Sequence, residues 1–161
     1  MKRPSNAIAL SSFVAAVAGS ALLGTQFTPA AGRIGEWYSA LKKPSFTPPG
    51  AAFPIAWTTL YALMAWSAFR VWKTPPSKAR TSAISAWAAQ LTFNAAWSPI
   101  FFGAKQPKLA LADLVALLVA LLTYTSLARK SDRPAAWMML PYIGWVVFAG
   151  VLNLEIARMN D

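Results

Sequence analysis

Five apolar stretches of about twenty residues each, parted by short polar segments, constrain this chain more than any other feature. A segment of that length spans a hydrocarbon core of about 30 Å as a helix. In lipid the backbone must satisfy its own hydrogen bonds, which leaves helices or a closed barrel. No stretch alternates apolar and polar residues as barrel strands do. The expected fold is therefore all-α: an integral membrane bundle of five transmembrane helices in one domain, residues 1–161. The spans fall at about 6–27, 53–72, 81–103, 107–128 and 135–158, with a long loop at 28–52. Composition agrees, since only 12% of residues are charged and 57% are hydrophobic, against about 25% charged in a soluble domain.

The first stretch, Ile8 to Phe27, follows Lys2 and Arg3 and also has the outline of a signal peptide, with Thr28-Pro29-Ala30 as a poor processing site. Its length favours a retained helix. So do its rows of small residues, Ser11-Ala15-Gly19 and Ser12-Ala16-Ser20-Gly24, which allow close helix approach. A comparable row in the third span, Ser82, Ala86, Ser85 and Ala89, leaves the contact face of any dimer open.

The net charge of +10 reads as topology signal and attraction to anionic lipid. It does not read as nucleic-acid binding, because no basic, aromatic-interleaved soluble module is present. Nine cations, Lys2, Arg3, Arg70, Lys73, Lys78, Arg80, Arg129, Lys130 and Arg133, fall on the N-terminal side. Six, Arg33, Lys42, Lys43, Lys105, Lys108 and Arg158, fall on the other, which leans toward a cytoplasmic N-terminus. The chain has no Cys and no His. Ser/His/Asp and Cys/His catalysis are excluded, and the usual ligands of zinc, copper and haem iron are missing.

The segment Trp37–Trp57, WYSALKKPSFTPPGAAFPIAW, is neither plainly apolar nor a solvated turn. It holds two Trp, one Tyr, two Phe and four Pro. A mere linker has no use for so much exposed ring surface, and long ordered loops are usually functional. The segment reads as a lid over a site for something flat and apolar. Several residues in the spans share helical faces: Trp57, Tyr61 and Met64; Gln90, Asn94 and Trp97; and Pro141, Trp145, Ala149 and Asn153, flanked by Tyr142, Phe148 and Leu152. Asn94 reads equally as interhelical glue or as a ligand contact. Asp113, the one acid well inside a span, reads as structural. Pro99 and Pro141 are expected to kink their helices. Trp66, Trp72, Trp87 and Trp137 fit the aromatic belt of a membrane interface.

The motifs WYSALKKPSFTPPG, FPIAWTTLYALM, AAQLTFNAAWSPIFFG, LADLVALL and PYIGWVVFAGVLN together resemble the TspO/MBR family, which takes in bacterial tryptophan-rich sensory proteins and mitochondrial translocator proteins. The resemblance implies a five-helix bundle, commonly a homodimer, with a pocket under the first loop. That pocket takes porphyrins such as protoporphyrin IX and isoquinoline or benzodiazepine drugs. Carried onto this sequence by motif, it implies ligand contacts from Trp37, Trp57, Asn94, Trp145 and Ala149; Phe46, Tyr61, Trp97, Tyr142 and Phe148 complete the candidate contacts. Some bacterial members are implicated in light-driven porphyrin degradation, for which Trp37 and Trp145 are the matching residues. The family's KPxWxPP motif often has Trp where this chain has Phe46. The Tyr of the animal sterol motif is replaced at Leu154, beside Glu155, so sterol recognition there is doubtful; a loose sterol-type pattern stands at Leu122, Tyr124 and Arg129.

Residue chemistry suits a porphyrin plate. Tryptophan rings can stack on it, and Lys42, Lys43 or Arg33 can meet its propionates. The absent His and Cys favour the metal-free macrocycle, with no cofactor required. The expected function is a receptor or sensor of tetrapyrroles in a bacterial cell membrane. Light-dependent porphyrin oxidation and transport stand as alternatives, the latter weakened by the lack of an inverted repeat.

Overall fold

The computed structural model describes residues 4–29 and 32–161. Lys2, Arg3 and Ala30, which figured in the topology and processing readings, lie outside the described residues. The described chain forms α1 (Asn6–Thr25), α2 (Gly32–Ala40), α3 (Ala52–Lys73), α4 (Lys78–Ser98), α5 (Pro107–Ser131), α6 (Arg133–Trp137) and α7 (Leu140–Met159). Local chemistry sets several starts. Ser5 caps α1 by accepting from the Ile8 N–H, and Ser77 caps α4 by accepting from the Arg80 N–H. Proline occupies the first turn of α5, α6 and α7, where its missing N–H costs nothing.

The expectation of five membrane-spanning helices is corrected by the structure. Among the described residues four helical spans are long and apolar enough to cross a membrane: Asn6–Thr25, Ala52–Lys73, Pro107–Ser131 and the joined Arg133–Met159. The long helix that falls short is α4. Its 21 residues include Lys78, Arg80, Thr81, Ser82, Ser85, Gln90, Thr92, Asn94 and Ser98, so polar groups recur along its whole length. The molecule is a multi-span helical membrane protein in which α4 is the polar member, packed most extensively against α5 and also against α1 and α3.

Short connections make α3, α4, α5 and α7 alternate in direction. One end of the bundle therefore gathers the end of α3, the start of α4 and the α5–α6 junction. The other gathers the loop around α2, the end of α4, the start of α5 and the end of α7. The core runs along α3, α4, α5 and α7 through Met64, Ala68, Val71, Ala83, Leu117, Leu121, Tyr124 and Tyr142. Outward apolar side chains such as Leu22, Ile55, Val119 and Val151 remain exposed, as a lipid-facing surface requires.

Interhelical hydrogen bonds replace water for the buried polar groups. Ser67 on α3 donates to the Ala135 carbonyl at 2.8 Å and lies 2.6 Å from the Tyr124 hydroxyl of α5. Arg70 grips both carboxylate oxygens of Asp132 at 3.2 and 3.1 Å. Trp87 is only 4% exposed; it donates its indole N–H to the Met64 carbonyl at 3.1 Å and meets Phe13 edge-on at 5.1 Å. It is an interior link between α4 and α3, and the belt reading of this residue is corrected.

Two proline expectations also change form. Pro99 opens a π-helical turn, Pro99–Gly103, that prolongs α4. Pro141 does not kink a continuous helix: the chain breaks at Met138 and Met139, between α6 and α7, and Pro141 sits in the first turn of α7.

Candidate functional site

Aromatic side chains converge at the loop end. The Trp57 and Tyr61 rings of α3 stack at 5.2 Å. Trp57 also meets Tyr142 at 6.1 Å and Trp145 at 6.3 Å, both edge-on from α7. Phe53 packs on Trp145 at 5.9 Å, and Trp145 on Phe148 at 5.7 Å. Phe46 of the loop closes the group against Phe148 at 6.4 Å and stays 47% exposed. Ala149 adds a small side chain beside these rings.

Trp37 lies in a second group. It packs on Phe101 of the π-helical turn at 5.7 Å, and its neighbour Tyr38 packs on Phe102 at 5.4 Å. Burial pushes the Tyr38 phenol up from its ordinary pKa. Trp97 joins the groups, packing against both apolar clusters and stacking on Phe101 at 4.9 Å. Its indole N–H donates to Asn153 at 3.2 Å, and Asn153 in turn donates to the Pro107 carbonyl at 2.7 Å.

Beneath the first group sits one polar node. The Asn94 side-chain oxygen accepts from Ser20 of α1 at 2.9 Å and from Tyr61 of α3 at 3.2 Å. Its NH₂ donates to the Tyr142 hydroxyl of α7 at 2.9 Å. Four helices thus meet on one buried amide. Two other buried polar groups behave differently: among the described residues neither end of the Gln90 amide, nor Asp113 Oδ2, meets a hydrogen-bond partner. Among the described residues no cluster of three or more acidic side chains could hold a metal.

The loop is built, not slack. Residues Gly32–Ala40 form α2, a helix within the segment 28–52 expected to be loop; Ile34, Trp37 and Tyr38 supply its helical spacing, which Leu41 continues just beyond its end. Gly32 takes φ +68°, a left-handed conformation that favours glycine. Lys43 turns its ammonium back on the end of α2, reaching the Leu41 carbonyl at 3.0 Å and also the carbonyl of Tyr38. Lys42 is exposed, and its backbone is clamped by Asn160 from the end of α7. The Lys42 N–H donates to Asn160 Oδ1 at 2.9 Å, and Asn160 Nδ2 donates to the Lys42 carbonyl at 2.9 Å.

Of the ten residues singled out as ligand contacts, the structure gathers Phe46, Trp57, Tyr61, Asn94, Tyr142, Trp145, Phe148 and Ala149 around one face, joins them through Trp97 and sets Trp37 beyond it. Sequence reasoning missed Ser20 as an Asn94 partner, although it lay in a small-residue row. It also missed Phe53, Phe101 and Asn160, and it placed Asn153 on the Trp145 row without its bonds to Trp97 and Pro107. Two open hollows on the surface lie away from these rings. One of about 330 Å³ is edged by Pro107, Lys108, Ala157 and Asn160; the other, of about 620 Å³, is lined by Arg129, Lys130, Arg133 and Trp137.

The model of the TspO/MBR family matches residues 12–159. The chain is 38% identical over 149 residues to Protein CrtK of Rhodobacter capsulatus, covering 92% of this chain and 89% of that one. It is 36% identical over 148 residues to the tryptophan-rich sensory protein of Cereibacter sphaeroides, covering 92% and 89%. Its identity to the translocator protein of Bos taurus is 36% over 142 residues, covering 86% and 82%. A family model spanning nearly the whole chain, relatives matched over most of their length and an aromatic assembly built from the same motifs lead to one assignment: this chain belongs to the TspO/MBR family.

Proposed function

We propose that this protein is a membrane receptor or sensor for porphyrins, protoporphyrin IX above all, and that it serves tetrapyrrole handling. The observation that carries the reading is the aromatic assembly, one stacked pair and a ring of edge-on and tilted contacts, set over the Asn94 node. Trp57, Tyr61, Trp145 and Phe148 offer apolar ring surface, while the tyrosine hydroxyls and the Asn94 amide offer polar groups at its base. A flat macrocycle entering here exchanges ring–ring contacts for ring–plate contacts, each contributing about 0.5–1.5 kcal/mol beyond area burial. Phe46 covers the plate from the loop, and Lys42, whose ammonium is exposed, meets a propionate at the water edge. Isoquinoline and benzodiazepine drugs suit the same rings. With no His or Cys in the chain, the metal-free macrocycle is preferred over haem. The reading places the protein in a bacterial cell membrane as a homodimer.

Titrating purified protein with protoporphyrin IX and following quenching of tryptophan fluorescence tests the proposal. Saturable binding, weakened at least tenfold by Trp57→Ala or Trp145→Ala, is expected. Equal affinity in wild type and both variants, or tighter haem binding with a defined axial-ligand spectrum, refutes it. Running the titration in darkness and under illumination separates binding from light-driven loss of the pigment.

A further inference from the structure

The far end of the bundle from the loop carries a second feature that the porphyrin reading does not use. The sequence Arg129-Lys130-Ser131-Asp132-Arg133 joins α5 to α6. It sets three cations within a few residues of one acid. That acid is engaged already: both Asp132 oxygens are gripped by Arg70, and Oδ1 also accepts from the Ala135 N–H at 2.8 Å. The other four acids are distant. Asp113 lies sixteen residues before Arg129 on α5, about 24 Å along the axis at 1.5 Å per residue. Glu155 and Asp161 stand at the end of α7, and Glu36 on α2, all at the loop end.

Arg129, Lys130 and Arg133 are exposed, and among the described residues none of their side chains forms a hydrogen bond or an ion pair. With Trp137 they line the 620 Å³ hollow. Arg133 and Trp137 are four residues apart on α6, so they share one helical face. Trp137 is 66% exposed, and Leu140 just beyond it is 45% exposed. Uncompensated cations thus stand immediately beside a bare apolar shelf, at the ends of membrane-crossing helices.

We propose that this hollow is a binding site for an anionic phospholipid. The guanidinium groups and the ammonium hold the phosphodiester through charge-assisted hydrogen bonds. The Trp137 ring lies at headgroup level, and the upper acyl chain covers Trp137 and Leu140. A zwitterionic headgroup fits less well, because its quaternary amine brings a positive charge toward three others. A soluble phosphate would satisfy the cations and leave the apolar shelf bare.

The test uses the full chain reconstituted in vesicles of phosphatidylcholine with graded phosphatidylglycerol, one lipid brominated at a time. Subtracting the quenching curve of Trp137→Phe from that of wild type isolates the signal of this ring. With three cations at the site, brominated phosphatidylglycerol is expected to quench Trp137 at a roughly 100-fold lower mole fraction than brominated phosphatidylcholine. Each cation near an anionic lipid contributes about fivefold, so Arg129→Gln/Arg133→Gln should reduce that preference by about 25-fold. Lys73→Gln/Lys78→Gln removes equal charge from the same end and should change it less than threefold. Equal loss in the two double variants would mean a diffuse surface potential and overturn the site. So would absence of preference in wild type, or displacement of the lipid by millimolar inorganic phosphate.

Discussion

The Asn94 node predicts an asymmetry between two tyrosines that look alike. Asn94 Oδ1 accepts twice, from Ser20 and from Tyr61, whereas its NH₂ has the Tyr142 hydroxyl as partner. Tyr61→Phe removes one of two donors and leaves the oxygen satisfied. Its cost should be that of a single interhelical hydrogen bond in a membrane protein, about 0.6 kcal/mol. Tyr142→Phe removes the acceptor and leaves a buried amide donor unpaired, at a cost of about 1–3 kcal/mol. For a chain of this size each kcal/mol shifts Tm by about 2–4 °C. Tyr61→Phe should therefore lower Tm by about 1–2 °C and Tyr142→Phe by roughly 2–12 °C, with Ser20→Ala close to the former. Differential scanning fluorimetry in one detergent at one scan rate measures all three. Adding Ser20→Ala to Tyr61→Phe empties the oxygen, so the double variant should lose more than the two singles summed. Equal shifts for the two tyrosines, or strict additivity in the double variant, would refute the assignment of donors and acceptors at this node.

Three further outcomes follow from the packing. A Cβ at Gly103 would stand 2.8 and 2.9 Å from two atoms of the Phe27 ring, so Gly103→Ala should destabilise by about 1–3 kcal/mol through overpacking. Phe27→Leu should recover most of that loss in a thermal melt. Ser67→Ala strips the Tyr124 hydroxyl of its partner and α3 of its bond to Ala135. A cost of about 1–3 kcal/mol is expected; adding Tyr124→Phe should recover the part due to the orphaned hydroxyl and leave the part due to the Ala135 carbonyl. Asn160→Ala removes both bonds to the Lys42 backbone; amide exchange at Lys42 should accelerate about tenfold, for the loss of roughly 1–1.5 kcal/mol, while exchange in the middle of α5 stays unchanged.

Stretch length and composition were enough to see the helices, because the requirement that lipid imposes on the backbone acts on any apolar run of about twenty residues. They were not enough to place α4, where Gln90 and Asn94 turn inward and the polar residues keep it apart from the four apolar spans. The i, i+4 spacing of Trp57 and Tyr61 foretold their shared face, and the i, i+4, i+7 spacing of Gln90, Asn94 and Trp97 foretold their turn toward the other helices. Hydrogen-bond partners were another matter: Ser20 and Asn94 are 74 residues apart, and no local pattern states that distance in space. Trp87 misled because an indole in the first two turns of the expected third span suits an interface, yet it stands mid-way along α4 and its N–H had a carbonyl to meet on α3. In the loop, prolines and paired lysines masked the short helical run of Ile34, Trp37 and Tyr38.

The Asn160 clamp makes the last turn of the chain a structural part of its first loop. Asn160 stands at the C-cap of α7, and the segment it grips lies 118 residues earlier. Anything that strains the end of α7 pulls on the strap that carries Phe46. A reporter or affinity handle joined directly after Asp161 therefore acts as a mechanical load on the mouth of the aromatic site, and on and off rates measured with such a handle would report the handle as well as the protein.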